Sequence, residues 1–520
     1  MTSSSPLLTI GERDVTLEDV QLLLASRTCR ISIAKTAQER TAAGRDALLK
    51  KLANDGVVYG VTTGFGDSCQ TRVQGSLIAE LPKNLYRFHG CGVGDDFEAD
   101  QTRAILLTRL SSLAAGFSGV RPELLVRLAQ FLEHDILPCI PTLGSVGASG
   151  DLTPLSYVAA ALSGEREVIY RGKRVSAQAA LDEAGLTALT LEPKESLALM
   201  NGTSAMTGVA ALCVPRALEL TRWAAALTAS ASDVMQGQPR HYDERIFQAK
   251  PHPGQALCAS WIRDDLDYER ARADAPARVQ DRYSLRCAPH VLGVLLDTLP
   301  NIIQMVETEI NGANDNPLID PETGDILHGG NFYGGHICAA MDTLKTQVAG
   351  IADLLDRQLA LLCNPATNHG LPINLVGASK ERRAAHHGFK AMQITTSALA
   401  AEAAKLTMPA SVFSRSTENH NQDKVSMGTI AARDCARIIE LTENVAAIVT
   451  LACSQAVDLR QKKGCHGRTL KLHKSVRSRI PQVIDDREMR PDIDKVLRMQ
   501  RSKELPFGDY SLKEIRALSS

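Results

Sequence analysis

Two long apolar stripes with helical spacing constrain this chain more than any other feature. Leu344, Val348, Ile351, Leu355, Leu359 and Leu362 recur at steps of three and four, which lines one face of a long helix. Leu441, Val445, Ile448 and Ala452 repeat the pattern in a second long segment. A helix of this length buries its stripe by packing near-antiparallel against others in a bundle. Composition points the same way: aromatics are only 4% of the residues, and small apolar Ala and Leu fill the helical stretches. The predicted fold is mostly α. No internal repeat and no Pro/Gly/Ser-rich linker divides the 520 residues, so a single domain is expected over 1–520. Within it, about 1–210 reads as a loop-rich part, about 211–460 as the helical core and about 461–520 as a C-terminal extension. Short strands are expected in the first part: Leu7–Ile10, and a hairpin formed by Glu167–Tyr170, a turn at Arg171-Gly172, and Arg174-Val175. Thr16-Leu-Glu-Asp19 resembles a capping box opening a helix over Val20 to Leu24.

Charge and cysteine usage exclude several function classes. Lys+Arg 58 against Asp+Glu 59 gives a net charge of −1, which argues against a global nucleic-acid or membrane-surface role. The 12 cysteines form no C-x-x-C pair, so neither a metal cluster nor a disulfide framework is expected, and a reducing cytoplasm fits best. Met1–Pro6 does not open a signal peptide, and no apolar run approaches membrane-spanning length. His386-His387 are adjacent and make a poor metal pair. The basic run from Arg460 through Lys463, continued by Arg468, Lys471, Lys474, Arg477 and Arg479, lacks interleaved aromatics and reads as a solvated face. Glu309 and Asp315 could form a carboxylate pair, but structural hydrogen bonding is the expected role.

The segment richest in chemistry is Gly144-Ser-Val-Gly-Ala-Ser-Gly-Asp-Leu-Thr-Pro154. One reading is a glycine-rich turn that feeds a helix, with Thr153 as N-cap and Pro154 as the first helical residue. The other concerns Ala148-Ser149-Gly150. A tight turn could press the Gly150 amide nitrogen onto the Ala148 carbonyl, and loss of two waters would leave an electrophilic imidazolone bearing an exocyclic methylene. Glycine is needed because a Cβ would block the approach, and serine supplies the methylene carbon. A helix N-terminus beside the ring would stabilise the negative charge it acquires when attacked.

The whole string GSVGASGDLTPLS resembles the cofactor loop of the ammonia-lyases and aminomutases that act on histidine, phenylalanine and tyrosine. Six further segments match motifs of that family in order: Tyr59-Gly-Val-Thr-Thr-Gly-Phe-Gly66, Asn201-Gly-Thr-Ser204, Tyr283-Ser-Leu-Arg286, Asn314-Asp-Asn-Pro317, Gly330-Asn-Phe332 and Asn421-Gln-Asp-Lys-Val-Ser-Met427. The resemblance runs from about Val57 to Asp458. It implies a fumarase/aspartase-like helical fold and a 4-methylidene-imidazol-5-one (MIO) made from Ala148-Ser149-Gly150, with no metal and no external cofactor. It also implies a homotetramer whose sites are each built from several chains, acting on a small amino acid.

The chemistry asks for these residue types. Removing an α-amino group needs a better leaving group and the loss of a weakly acidic β-proton. An electrophile serves the first need and a positioned base the second. Tyr59 is the expected base, provided a polarised site lowers its pKa, and Gly66 on the same loop is expected at the substrate. The resemblance makes Arg286 a carboxylate clamp, suited by its planar fork. Tyr283, on the same helical face, would hold or protonate the substrate. Asn201 and Asn331 would orient the substrate carboxylate and the ring oxygen, with Phe332 packed against the ring and Asn421 and Gln422 at the substrate. Phe88-His89 occupies the family's selectivity position for the substrate ring, where histidine lyases usually show Ser-His. Gln422 stands where those enzymes carry Glu. Phe88 adds apolar area and His89 can hydrogen-bond a ring substituent. The expected activity is therefore deamination of tyrosine, or another ring-oxygenated phenylalanine, with phenylalanine also accepted. Histidine ammonia-lyase, giving urocanate, and an aromatic 2,3-aminomutase are the alternatives, and a catalytically dead helical relative is the rival from another class.

Overall fold

A computed structural model describes residues 6–54, 56–271 and 279–519. The chain forms two compact units, Met1–Cys213 with Ile303–Asp342 and Pro409–Arg433, and Val214–Ile302 with Thr343–Met408 and Asp434–Ser520. It passes between them once between Met408 and Pro409 and four times within long helices, Ser204–Val234, Ala288–Asn311, Gly335–Cys363 and Gly428–Leu459. The two periodic stripes fall inside the last two of these, and Leu344, Val348, Ile351, Leu355, Leu359 and Leu362 are all buried. The mostly α expectation holds.

Among the described residues, the first unit carries every strand. Leu7–Ile10 pairs in parallel with Arg30–Ile33, and Val93–Asp96 pairs antiparallel with Pro141–Leu143. A three-stranded sheet runs Leu137–Pro138, Glu167–Tyr170, Lys173–Ser176. Its hairpin turn places Arg171 at φ 50° and Gly172 at φ 74°, the doubly left-handed geometry that matches strand twist. The expected capping box is present: the Thr16 side chain accepts from the Asp19 amide, and the Asp19 carboxylate accepts from the Thr16 amide. A small apolar cluster of Leu48, Val58, Val61 and Ile319 closes the unit beside Tyr59.

The second unit is helical. Thr298 Oγ1 donates to Gln347 at 2.8 Å and Gln358 donates to the Ser284 carbonyl at 2.8 Å, so the segments ending in Asn311 and beginning at Gly335 run antiparallel. Arg216 pairs with Glu443 and Trp223 Nε1 donates to Thr450 at 3.0 Å, which sets Ser204–Val234 and Gly428–Leu459 in the same direction. Long intervening chain permits such parallel neighbours. The basic run after Leu459 is a solvated face only in part: Lys462, Lys463, Lys471, Lys474 and Arg479 are exposed, but three of its arginines are engaged. Arg460 donates to the carbonyls of Val234 and Asn368, Arg468 to Asp265 and Arg477 to Asp458. Apart from Asp458, these partners lie 92 to 226 residues away, so the run itself does not show the pairing. Among the described residues no helix is long and apolar enough to cross a membrane.

Candidate active site

The site is built in the first unit from loops that meet at helix starts. Val58 and Val61 are fixed in the apolar cluster, and Val58 N donates to Thr62 Oγ1 at 2.9 Å. Between them Tyr59 is left to turn its ring the other way. The loop then doubles back: Gly64 N donates to the Thr71 carbonyl at 2.9 Å, and the Gly66 amide donates to the Tyr59 hydroxyl at 2.7 Å. Burial raises the Tyr59 pKa and the nearby Glu418 carboxylate adds to it, although the Gly66 amide pulls the other way. The expectation of a lowered phenol is corrected here: this chain's own groups favour the neutral form.

Facing Tyr59 is the Gly144–Asp151 turn. Gly147, Ser149 and Gly150 have φ of 73°, 51° and 76°, so the backbone is left-handed at a serine as well as at the glycines. A Cβ on Gly150 would overlap the Gly202 carbonyl, so only glycine fits. Asn201 Nδ2 donates to the Ser149 carbonyl at 2.9 Å and Gln422 Nε2 to Ser149 Oγ at 3.1 Å. Asn201 is 3% exposed, and its Oδ1 has no hydrogen-bond partner. A crowded glycine, a left-handed serine held from two sides and an unsatisfied buried amide oxygen all fit a tripeptide that closes into a ring.

The helix after the turn is Leu152–Leu162 and its N-cap is Asp151, not Thr153. The Asp151 side chain makes no capping bond to that helix; its carboxylate has no exposed surface and serves other partners. It accepts from the Met206 amide at 2.8 Å, from Ser145 Oγ at 2.9 Å and from Thr429 Oγ1. Three helices begin around it: Leu152–Leu162, Ser204–Val234 and Gly428–Leu459. Their positive ends suit a buried anion, though burial still raises its pKa. Asp151 lies inside the motif, but nothing local marks its role, because its partners lie up to 278 residues away.

Tyr59, Gly66, Ala148, Ser149, Asn201, Phe332, Asn421 and Gln422 line one cavity of about 580 Å³, a size that suits a small amino acid. Cys69, Asn316, His328 and Lys424 line it too and were not singled out in the sequence. Glu418 was also missed: its carboxylate accepts from the Asp67 amide at 2.9 and 3.0 Å, which ties the 417–422 loop to the Tyr59 loop. The remaining expected residues are outside the cavity lining. Asn331 donates to the Ala313 carbonyl at 3.2 Å. Phe88 ends the helix Leu77–Phe88 and His89 caps it, their ring centroids 4.3 Å apart. Tyr283 and Arg286 belong to the second unit, where they share one helical turn and the guanidinium lies 4.6 Å from the Tyr283 ring centroid. Glu309 accepts from Thr203 and Asp315 from Lys194, so these two carboxylates have separate structural partners.

A mostly α chain that gathers a phenol, a glycine-locked Ala-Ser-Gly turn and amide side chains in one cavity has the makings of a carbon–nitrogen lyase. The model of the family "Aromatic amino acid lyase" matches residues 15–478. Histidine ammonia-lyase of Koribacter versatilis is 39% identical over 96% of this chain and 97% of its own. Tyrosine aminomutase from Streptomyces globisporus superposes with a TM-score of 0.89 at 35% identity, covering 98% of this chain and 100% of that one. Histidine ammonia-lyase from Trypanosoma cruzi does so with a TM-score of 0.89 at 31% identity, covering 98% and 97%. The chain belongs to the aromatic amino acid lyase family, and it is a carbon–nitrogen lyase.

Proposed function

We propose that this chain removes ammonia non-oxidatively from an aromatic L-α-amino acid, giving the arylacrylate. The observation that carries this reading is the convergence of Tyr59, Ser149, Asn201, Phe332 and Gln422 on one cavity. Ala148, Ser149 and Gly150 would form the MIO ring, with Asn201 and Gln422 holding its edges. Once formed, that ring supplies an electrophile that makes the amino group a better leaving group. Tyr59 takes the β-proton. The Gly66 amide already donates to its oxygen and favours the phenolate, and a substrate ammonium entering the cavity offsets the cost imposed by burial. Asn201 Oδ1, buried without a partner, accepts from the substrate's polar end. The β-proton and the amino group leave together as ammonium.

The names of the relatives support L-histidine, yielding urocanate, as the first substrate. Gln422 favours a second reading, tyrosine or phenylalanine, because a neutral amide replaces the carboxylate that would pair with a cationic imidazole. The likeness to a tyrosine aminomutase supports return of the ammonia to the β-carbon as a variant of that reading. Tyr283 and Arg286 stand outside the lining of their own chain's cavity, which supports a homotetramer with shared sites. We further propose that 1–520 acts as one catalytic domain in the cytoplasm. The deciding measurement is kcat/KM for histidine, tyrosine and phenylalanine side by side, with products read by NMR. A clear preference for histidine is expected. A preference for tyrosine or phenylalanine overturns it in favour of the Gln422 reading, and a β-amino acid product identifies the aminomutase.

A further inference from the structure

Behind the Ala148–Ser149–Gly150 turn lies a layer of buried charge that no step above uses. Gly150 and Gly202 form a parallel bridge, and the Asp151 amide donates to the Gly202 carbonyl at 2.7 Å. The far side of Gly202 is as crowded as the near side: a Cβ there would overlap the Arg109 guanidinium and approach the Asn314 carbonyl. Arg109 has no exposed surface. Its Nη1 donates to the carbonyls of Asn314 at 3.3 Å and Asn201 at 3.5 Å, and its Nη2 to Ser112 Oγ at 3.1 Å and Asn314 at 3.4 Å. Asp315, the next residue, accepts from Lys194 Nζ at 2.6 Å and from the Asn316 amide at 2.7 Å, and neither charged side chain is exposed. Lys194 reaches it from a backbone at φ 80°, a conformation that disfavours a side chain. Two cations and one carboxylate are thus buried where apolar residues would stabilise the fold as well or better. The guanidinium grips backbone carbonyls on both segments that back the turn, Asn201-Gly202 and Asn314.

We infer that Arg109, held by the Asn314 carbonyl and Ser112 and backed by the Lys194–Asp315 pair that fixes the residue after Asn314, is the rigid wall that holds Gly202 against Gly150 and so sets the approach of the Gly150 amide nitrogen to the Ala148 carbonyl carbon. Arg109, Lys194 and Asp315 are positioning residues for ring closure. In that closure a bond forms between Gly150 N and the Ala148 carbonyl carbon. The Ala148 oxygen leaves as water with the hydrogens of the Gly150 and Ser149 amides. The Ser149 hydroxyl leaves as a second water with its own α-hydrogen. Nothing is oxidised or reduced. The inference rests on reading this tripeptide as the source of the ring.

Intact mass under denaturing conditions counts the waters lost by each chain without reference to activity. The wild-type chain is expected to be two waters light. Arg109→Met should fold, by circular dichroism and a cooperative melt, with at least a tenfold smaller fraction two waters light. Arg109→Lys should recover part of that fraction, and Lys194→Met should fall between. Arg222→Met, which breaks a buried pair in the other unit, should lose stability and still be fully two waters light. If Arg109→Met does not fold, Ser112→Ala decides, since it removes one acceptor shared by Arg109 Nη2 and the Asn314 amide and leaves the buried charges in place. Sampled during cell-free synthesis, it should lose its waters several-fold more slowly than wild type, and an equal rate overturns the wall. Wild type and Arg109→Met both fully two waters light also overturn it while sparing the reading of the tripeptide. A wild-type chain at its full encoded mass overturns that reading and the wall together.

Discussion

In the helical unit, Arg222 donates to both oxygens of Asp265 at 2.7 and 2.8 Å, and Arg468 joins the same carboxylate at 2.9 Å. In the site-bearing unit, Lys194 alone reaches Asp315, and Arg109 donates to backbone carbonyls. Both clusters hold two cations and one buried carboxylate. The first directs its hydrogen bonds into the ion pair and ties the C-terminal segment to a long helix. The second directs its guanidinium into the backbone of the segments around the catalytic turn. The backbone around the catalytic turn is itself constrained. Around the cavity, Ser149, Glu418, Asn419, His420 and Met427 all have positive φ, conformations that persist only where the surroundings over-determine them. Charge buried for cohesion and charge buried for placement should therefore respond differently to mutation.

Ser149→Ala separates the two most sharply. It removes the hydroxyl whose loss as water turns Cβ into the methylene, and with it one acceptor of Gln422, but leaves the turn's glycines in place. Activity should fall by orders of magnitude while the melting temperature stays within a degree or two of wild type. An unmodified mass in Ser149→Ala with near wild-type turnover would sink the electrophile. Tyr59→Phe comes next. The ring still packs and only the hydroxyl contact with Gly66 is lost. General base catalysis is typically worth about 10²–10⁴-fold, so a loss of that size in kcat with an unchanged melt is expected. Turnover near wild type would show that another group takes the proton.

The helical unit should behave in the opposite way. Arg222→Met leaves Asp265 buried with Arg468 as its remaining cation. Breaking a buried pair costs about 3–5 kcal/mol, visible as a lower denaturant midpoint at constant slope. Turnover per folded molecule should be unchanged. A fall in turnover without a fall in stability would erase the distinction between the two clusters.

How much of this was legible in the sequence follows the same division. The stripes over Leu344–Leu362 and Leu441–Ala452, the Thr16 capping box and the Arg171-Gly172 hairpin depend on neighbours within a few residues, and sequence order reveals them. The cavity's Tyr59, Ser149, Asn201 and Gln422 were legible because each sits in a short motif that resembles the family. Arg109, Lys194 and Glu418 were not, since their roles come from partners in distant segments and no local pattern marks a buried cation. Arg468 is hidden for the same reason: it reads as one more solvated cation of a basic run until Asp265, 203 residues away, is folded onto it. Thr153 reads as the helix cap because it precedes Pro154, yet the helix already starts at Leu152, with no side-chain cap to mark it in the sequence.

The smallest expected effect concerns His89, which is partly buried and carries the contrast into pH dependence. Burial, reinforced by the neighbouring Arg166 guanidinium, pushes its pKa down to about 4. Burial disfavours the charged ring, so the folded chain keeps His89 neutral while the unfolded chain protonates near the ordinary value of about 6.5. The sign follows directly. Between these two values the unfolded chain binds the extra proton, so stability is complete above about pH 6.5 and is lost as pH falls towards 4. At about 1.4 kcal/mol per unit the loss is at most about 3 kcal/mol. Urea midpoints across that range should fall with pH in the wild-type chain and fall less in His89→Leu. Because Leu keeps the apolar contact with Phe88, the difference between the two slopes isolates the proton. Parallel slopes would mean that another group carries the acid sensitivity and that His89 is better solvated than its position at the end of the Leu77–Phe88 helix implies.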